Sequence, residues 1–253
     1  MGKRPITRWQ VAPLHLAITA VIAAVVFAVI YFAWYPGALF AAAGGRALFL
    51  LIVFVDVTLG PLITLIIFVP GKKGLKFDLA TIAVLQIAAL CYGAYVLYVS
   101  RPVWIVFVED RFELVRANQV LEAERARAKP PFDALSVTGP HLAGARLPKN
   151  PEEQLRIAIT AAAGFDLQTY PEYFVPYDDV RRQVTAHAAP LSRLEALNPG
   201  EEASIGRLGA KVDRPEDRIG FLPMRAGKRD LAALVDRSNG DFLGTFAFRP
   251  WTY

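Results

Sequence analysis

The sequence predicts a membrane protein, with three N-terminal transmembrane α-helices followed by a C-terminal α+β periplasmic domain built on an antiparallel sheet. Three observations carry this reading. Of 253 residues, 54% are hydrophobic. Apolar runs near the roughly 20 residues that span a bilayer fill the first hundred positions. The charges divide sharply: residues 1–100 hold two acidic side chains (Asp56, Asp78) and seven basic ones (Lys3, Arg4, Arg8, Arg46, Lys72, Lys73, Lys76), whereas residues 101–253 hold twenty-one of each sign. The net charge of +5 therefore belongs to the apolar part. With no basic domain, the composition argues against a nucleic-acid partner.

The first span covers residues 12–34, with Pro13 tolerated in the first turn of a helix. The second covers 47–68 and the third 79–99. Tyr31, Trp34 and Tyr35, and later Tyr95, Tyr98 and Trp104, suit interfacial aromatic belts. Lys3, Arg4 and Arg8 precede the first span, and "PGKKGLKFD" joins the second to the third. The positive-inside rule places both segments in the cytoplasm. Residues 1–11 then form a cytoplasmic tail, residues 12–100 the membrane region, and residues 101–253 a periplasmic domain at the inner membrane. A cleaved signal peptide ending near Ala41–Ala43 is the competing reading. The first apolar stretch is about twice a signal core of roughly 7 to 15 residues, which weighs against it.

In the exported part, "VWIVFVEDRFELVRA" reads as two strands around a turn at Glu109-Asp110. "NQVLEAERARA" suits a helix, and the proline-rich stretch from Lys129 to Pro151 a surface loop. "NPEEQLRIAITAAAG" has Asn150 as cap, Pro151 at the first helical position and early glutamates, a helix start. "PYDDVRRQVTAHAA" and "PLSRLEALN" predict two further short helices. "IGFLPMRA", "DLAALVD" and "DFLGTFAF" predict closing strands, with "RSNG" as a turn. Strands, a helical middle and strands again resemble extracytoplasmic PAS or Cache domains in order. Such an analogy carries no ligand.

Chemistry-bearing patterns are sparse. There is no HExxH, GxSxG, Walker loop or Rossmann fingerprint. His15, His141 and His187 lack ligand spacing, and the only cysteine, Cys91, lies in the third span. The pairs Glu109-Asp110, Glu152-Glu153 and Asp178-Asp179 sit at turns and helix starts, where they favour solubility and the helix dipole. The sequence thus predicts no catalytic residues, no metal and no cofactor.

Asp56 stands apart. A carboxylate in a span costs at least about 2.5 kcal/mol and is a functional candidate by default. Asp56, Gly60 and Thr64, spaced by four, share one helix face. Pro61 removes a helix hydrogen bond and frees the Val57 carbonyl, which also lies near that face. Gly60 admits a close helix neighbour. Residue counting on the antiparallel third span sets Gln86 near the depth of Pro61 and Tyr92 near that of Asp56, so one of the two is expected to satisfy this polar face. Proton transport wants further ionisable groups in the membrane, and aspartyl proteolysis a second intramembrane aspartate; Asp78 lies at the edge. A packing or partner-docking face is the favoured reading.

"VDVTLGPLITLIIF", continuing through "KKGLKFDLATIAVLQIAALCYGAYVLYVSRPVWIVFVEDRFELV", resembles the type IV pilin accessory protein family (the TfpX/TfpZ type). The resemblance rests on Asp56, Leu59, Gly60, Pro61, Leu62, Thr64 and Leu65, on the start of the third span at Lys76-Phe77-Asp78-Leu79, and on Gln86 and Tyr92-Gly93. It continues in Arg101-Pro102-Val103 leading to Asp110-Arg111-Phe112, at the membrane exit. The closing "FLPM" and "FRPW" also look familial. Such a resemblance implies a noncatalytic inner-membrane protein that assists type IV pilin assembly or pilus dynamics, with pilin or pilus assembly proteins and the lipid bilayer as partners. The rival class is a membrane-anchored periplasmic sensory or ligand-binding protein, suggested by the strand order.

Overall fold

The computed structural model describes residues 6–252, so Lys3 and Arg4 of the basic N-terminal segment lie outside the described residues. It divides into two compact units.

Three helices, each long and apolar enough to cross a membrane, form the first unit: α1 (Arg8–Trp34), α2 (Gly45–Ile67) and α3 (Leu75–Val99). Helix α1 starts about one turn earlier than the apolar pattern predicts, because Gln10 Oε1 accepts the Thr7 N–H at 3.1 Å and draws a polar first turn into the helix. Pro13 therefore lies in the second turn. Helix α2 is the centre of the unit. At one end the Thr64 hydroxyl meets His15 Nδ1 of α1 at 2.8 Å, and at the other Phe49 packs on Phe27 with ring centroids 5.1 Å apart. On its other flank α3 brings Gly93 against Ile52, where a Cβ would stand 2.6 Å from Ile52 Cγ1. Large apolar side chains such as Leu51, Ile66 and Val84 remain exposed along the helices. An apolar surface of this extent marks a membrane or protein contact.

The second unit combines residues from Ser100 onward with the connection Trp34–Gly44. Its sheet has eight strands: β1 (Pro102–Val108), β2 (Arg111–Arg116), β3 (His141–Ala145), β4 (Phe174–Val175), β5 (Ala189–Pro190), β6 (Ile219–Arg225), β7 (Leu231–Asp236) and β8 (Phe242–Phe246). The order is β4-β3-β1-β2-β6-β7-β8, with β5 paired to β6. The β1–β2 hairpin turns at Glu109-Asp110 as read, and Glu109 takes a positive φ of 54°.

The sheet is mixed, which corrects the expected antiparallel arrangement. β3 runs parallel to β1 and β6 parallel to β2. Both parallel joints follow long excursions, as parallel pairing requires. The excursion from β2 to β3 takes in the helix predicted at 118–128 and the first part of the proline-rich stretch read as a surface loop. That stretch then continues into β3, with Ala143 and Ala145 buried. The helix predicted at 118–128 shrinks to a 3₁₀ turn and Glu122–Arg125.

Both sheet faces are covered, which explains the unbroken apolar runs of β1 and β7. One face presents Ile105, Phe107, Phe112, Leu222, Met224 and Val235 to Tyr177, Val180 and Val184 around helix α5 (Arg181–His187). The other carries Trp104, Val106 and Val115 toward Ile157 of α4 (Pro151–Ala161), and farther along Phe221 and Leu234 toward Leu191 and Leu194 of α6 (Leu191–Leu197). As predicted, Asn150 caps α4, its side chain accepting the Glu152 N–H at 2.9 Å.

The connection between α1 and α2 is a structural part of this unit. Leu39 and Ala42, on the helical turn Leu39–Ala42, belong to the core against the first sheet face. The Ala42 carbonyl accepts the Lys228 N–H at 3.0 Å. Tyr35, assigned to an aromatic belt by sequence, is buried with its hydroxyl 3.1 Å from Ser100 Oγ. Leu39→Ala in the full-length protein is expected to cost roughly 2–5 kcal/mol and lower the thermal midpoint of the sheet unit. Exposed Leu147 serves as control, with Leu147→Ala within about 0.5 kcal/mol of the parent. Equal midpoints for the two variants would contradict the placement of Leu39 in the core.

Candidate functional site

Proline in the middle of α2 needs an acceptor to be satisfied by something other than its own missing N–H. An α-helical ladder would leave the Val57 carbonyl open, as expected from sequence. The helix does otherwise. From Phe54 to Leu59 it is wound as a π-helix, and the Gly60 N–H donates to the Val55 carbonyl, five residues back. One step further the ladder calls for an N–H of residue 61 on the Asp56 carbonyl, and Pro61 has none. Gln86 Nε2 of α3 donates to that carbonyl at 3.0 Å. The freed acceptor is thus that of Asp56, and its partner is the glutamine.

Gly60 makes this bond possible. A Cβ at position 60 would overlap the Gln86 amide, so only glycine lets the side chain cross the helix surface to reach the backbone. Asp56, Gly60, Pro61 and Thr64 are all buried. They serve different neighbours, Gly60 admitting α3 while Thr64 meets His15 of α1. Tyr92 does not join them: it is 71% exposed. The α3 stripe facing α2 runs through Gln86 and Gly93. One residue is about 100° of helix rotation, so the position next to Gly93 points away.

The Asp56 side chain is only 6% exposed, and neither carboxylate oxygen has a hydrogen-bond partner among the described residues. It borders a cavity of about 290 Å³, walled by His15, Thr19 and Ile22 of α1 and by Gln86, Ile87 and Leu90 of α3. Three separate helices thus bring their polar residues to one place. Sequence reasoning weighed His15 only as a metal ligand and passed over Thr19. Apart from Tyr31 and Trp34 near the end of the span, they are the only polar side chains in residues 12–34, one helical turn apart, and that pairing was the available signal.

The residues expected at the membrane exit lie in the sheet unit and build its first hairpin. Arg101 is 4% exposed, and its Nε donates to the Ser136 carbonyl at 2.8 Å. Pro102 opens β1. Arg111 grips Glu113 at 2.7 Å and Asp110 at 3.0 Å. Burial pushes the Glu113 carboxyl above its ordinary range, against the pull of the Arg111 guanidinium. These contacts fix the hairpin. Among the described residues no group of three or more His, Cys, Asp or Glu side chains is placed to hold a metal ion.

Comparison with known proteins gives the chain its relatives. It is 31% identical over 218 residues to the fimbrial assembly protein of serogroup I from Dichelobacter nodosus, covering 85% of each chain. It is 30% identical over 218 residues, again 85% of each chain, to the serogroup E1 fimbrial assembly protein of the same organism. The protein of serogroups C1 and C2 is 33% identical over 121 residues, 47% of this chain and 92% of that one. No family model and no solved structure matches the chain.

Two substitutions examine the Gly60–Gln86 crossing. Gly60→Ala should destabilise the helix unit by forcing the Gln86 amide aside. Gln86→Ala should destabilise it by leaving the Asp56 carbonyl unpaired, and the two losses should not add. A double-mutant cycle on thermal unfolding in detergent is expected to show coupling of roughly 0.5–3 kcal/mol. Additive losses would show that the two residues do not share this contact.

Proposed function

We propose that this chain, which belongs to the fimbrial assembly protein family, is a noncatalytic accessory protein of type IV pilus biogenesis that works by contacting pilin or the assembly machinery. The observation that carries the proposal is the kinship over 218 residues with proteins named for fimbrial assembly. At 85% of the chain, the match takes in residues of both units. The resemblance of residues 49–115 to type IV pilin accessory proteins points the same way.

The cellular arrangement proposed is an inner-membrane protein with three crossings. Arg8 at the start of α1, and Lys72, Lys73 and Lys76 around the start of α3, support a cytoplasmic N-terminus under the positive-inside rule. The sheet unit then lies in the periplasm together with the connection that supplies Leu39 to its core. A pilus subunit with one apolar helix and an exported head can be met twice by such a protein, helix against helix and head against domain.

The site favours recognition over reaction. Its cavity is bordered by a single carboxylate, so the paired aspartates of intramembrane proteolysis are not assembled there. The sensory alternative drew on the order of strands, helical middle and strands, and the antiparallel sheet expected with that order is mixed in the structure.

Deleting the gene is expected to reduce or abolish surface pili and twitching, and the intact gene supplied in trans should restore both. Normal piliation with every pilin the organism encodes would remove the proposal. Alkaline phosphatase joined after the last residue should be active and β-galactosidase at the same point inactive; the reverse pattern would overturn the topology.

A further inference from the structure

We infer that the groove between α1 and α3, floored by Asp56, seats an apolar helix of a partner protein that brings a positively charged nitrogen to this carboxylate. The inference rests on the reading of the chain as a membrane-embedded accessory protein and names the chemistry its helix unit recognises.

The first ground is the carboxylate itself. Asp56 is more than nine-tenths buried, and both oxygens lack a hydrogen-bond partner among the described residues. The polar side chains around the same cavity have bonds of their own. Gln86 Nε2 is given to the Asp56 carbonyl, His15 Nδ1 is bonded with Thr64, and the Thr19 hydroxyl points to the His15 and Leu16 carbonyls of its own helix. A buried acceptor pair with no donor is costly alone and favourable beside an opposite charge at low dielectric.

The second ground is the shape and lining of the groove. Both α1 and α3 lean on α2, and the slot between them has apolar walls that include Ile18 and Ile87, which are 52% and 61% exposed. An acyl chain would cover these walls and leave both carboxylate oxygens unsatisfied. A helix covers the walls and can deliver a cation with several N–H donors, which a lysine, an arginine or a free amino terminus provides. A second copy of this chain is a poor match. Residues 12–34, 47–68 and 79–99 contain no lysine or arginine, so its own helices have no such side chain to offer at the depth of Asp56.

The test is photocrosslinking in the native membrane of a piliated strain, with the full-length chain at its natural level. Benzoylphenylalanine replaces Ile87 in the groove, or Ile66, exposed on α2, as control. The Ile87 probe is expected to trap a membrane protein whose crosslinked peptide, identified by mass spectrometry, is an apolar helix bearing a lysine, arginine or free amino terminus. The yield should fall at least about tenfold when Asp56→Asn is added, and the Ile66 probe should trap no such helix. Lipid adducts alone, a second copy of this chain, a helix without a cation, or an equal yield with Asp56→Asn would each overturn the proposal. Should Asp56→Asn fail to accumulate, Ile18→Trp fills the groove while keeping the carboxylate. Loss of the adduct then supports the groove, and an undiminished yield overturns it. The deletion phenotype separates the two proposals: normal piliation with a positive crosslink removes the pilus role alone, and lost piliation with no helix adduct removes the groove alone.

Discussion

The helix unit depends on how α2 accommodates Pro61. An apolar helix has few ways to satisfy an acceptor that proline leaves open, and this one combines two. It widens to a π-turn from Phe54 to Leu59, which moves the open carbonyl onto Asp56, and it borrows the Gln86 amide from α3. That loan dictates glycine at position 60, sets the depth of α3 and turns its Gln86–Gly93 stripe toward α2. The polar contact with α1 then falls one turn beyond the proline, at Thr64 and His15. π-Turns of this kind are often found at functional sites. Here the widened turn carries a buried aspartate whose backbone oxygen is satisfied and whose side chain has no hydrogen-bond partner among the described residues.

A different constraint governs the sheet unit. Its central strands are apolar on both faces, so two layers must cover them. Part of one layer comes from far away in sequence, the turn Leu39–Ala42 between α1 and α2. The sheet unit therefore needs the connection for its own core. In the proposed topology that connection is periplasmic, which gives the loop a structural reason to be apolar.

Much of this was legible in the residues. Apolar length marked three helices, asymmetric charge marked their flanks, and Asn150-Pro151 marked a helix start. Asp56 drew notice because its cost in an apolar helix is large, and Gln86 was placed by counting residues along antiparallel helices. The remainder depended on tertiary facts. The π-turn shifted the open carbonyl by one residue, which periodicity based on the α-helix cannot foresee. Tyr92 was placed by depth along α3, while rotation about its axis decides which neighbour a side chain meets. The strand His141–Ala145 lay hidden in a proline-rich segment of weak alternation. The parallel joints are long-range pairings that no local pattern encodes. Leu39 drew no notice in the sequence because its partners in the core lie from residue 105 onward.

Under the proposed topology the two units divide the labour: a sheet unit for contacts outside the bilayer, and a polar notch for contacts within it. In this proposal the carboxylate of the notch acts by recognition. The measurement that bears most directly on this is the number of surface pili on cells whose only copy of the gene encodes Asp56→Asn at parental protein levels. Sharply reduced piliation, partly restored by Asp56→Glu, is the predicted result. Piliation equal to the parent with Asp56→Asn would show that the charge at this position has no part in the protein's work.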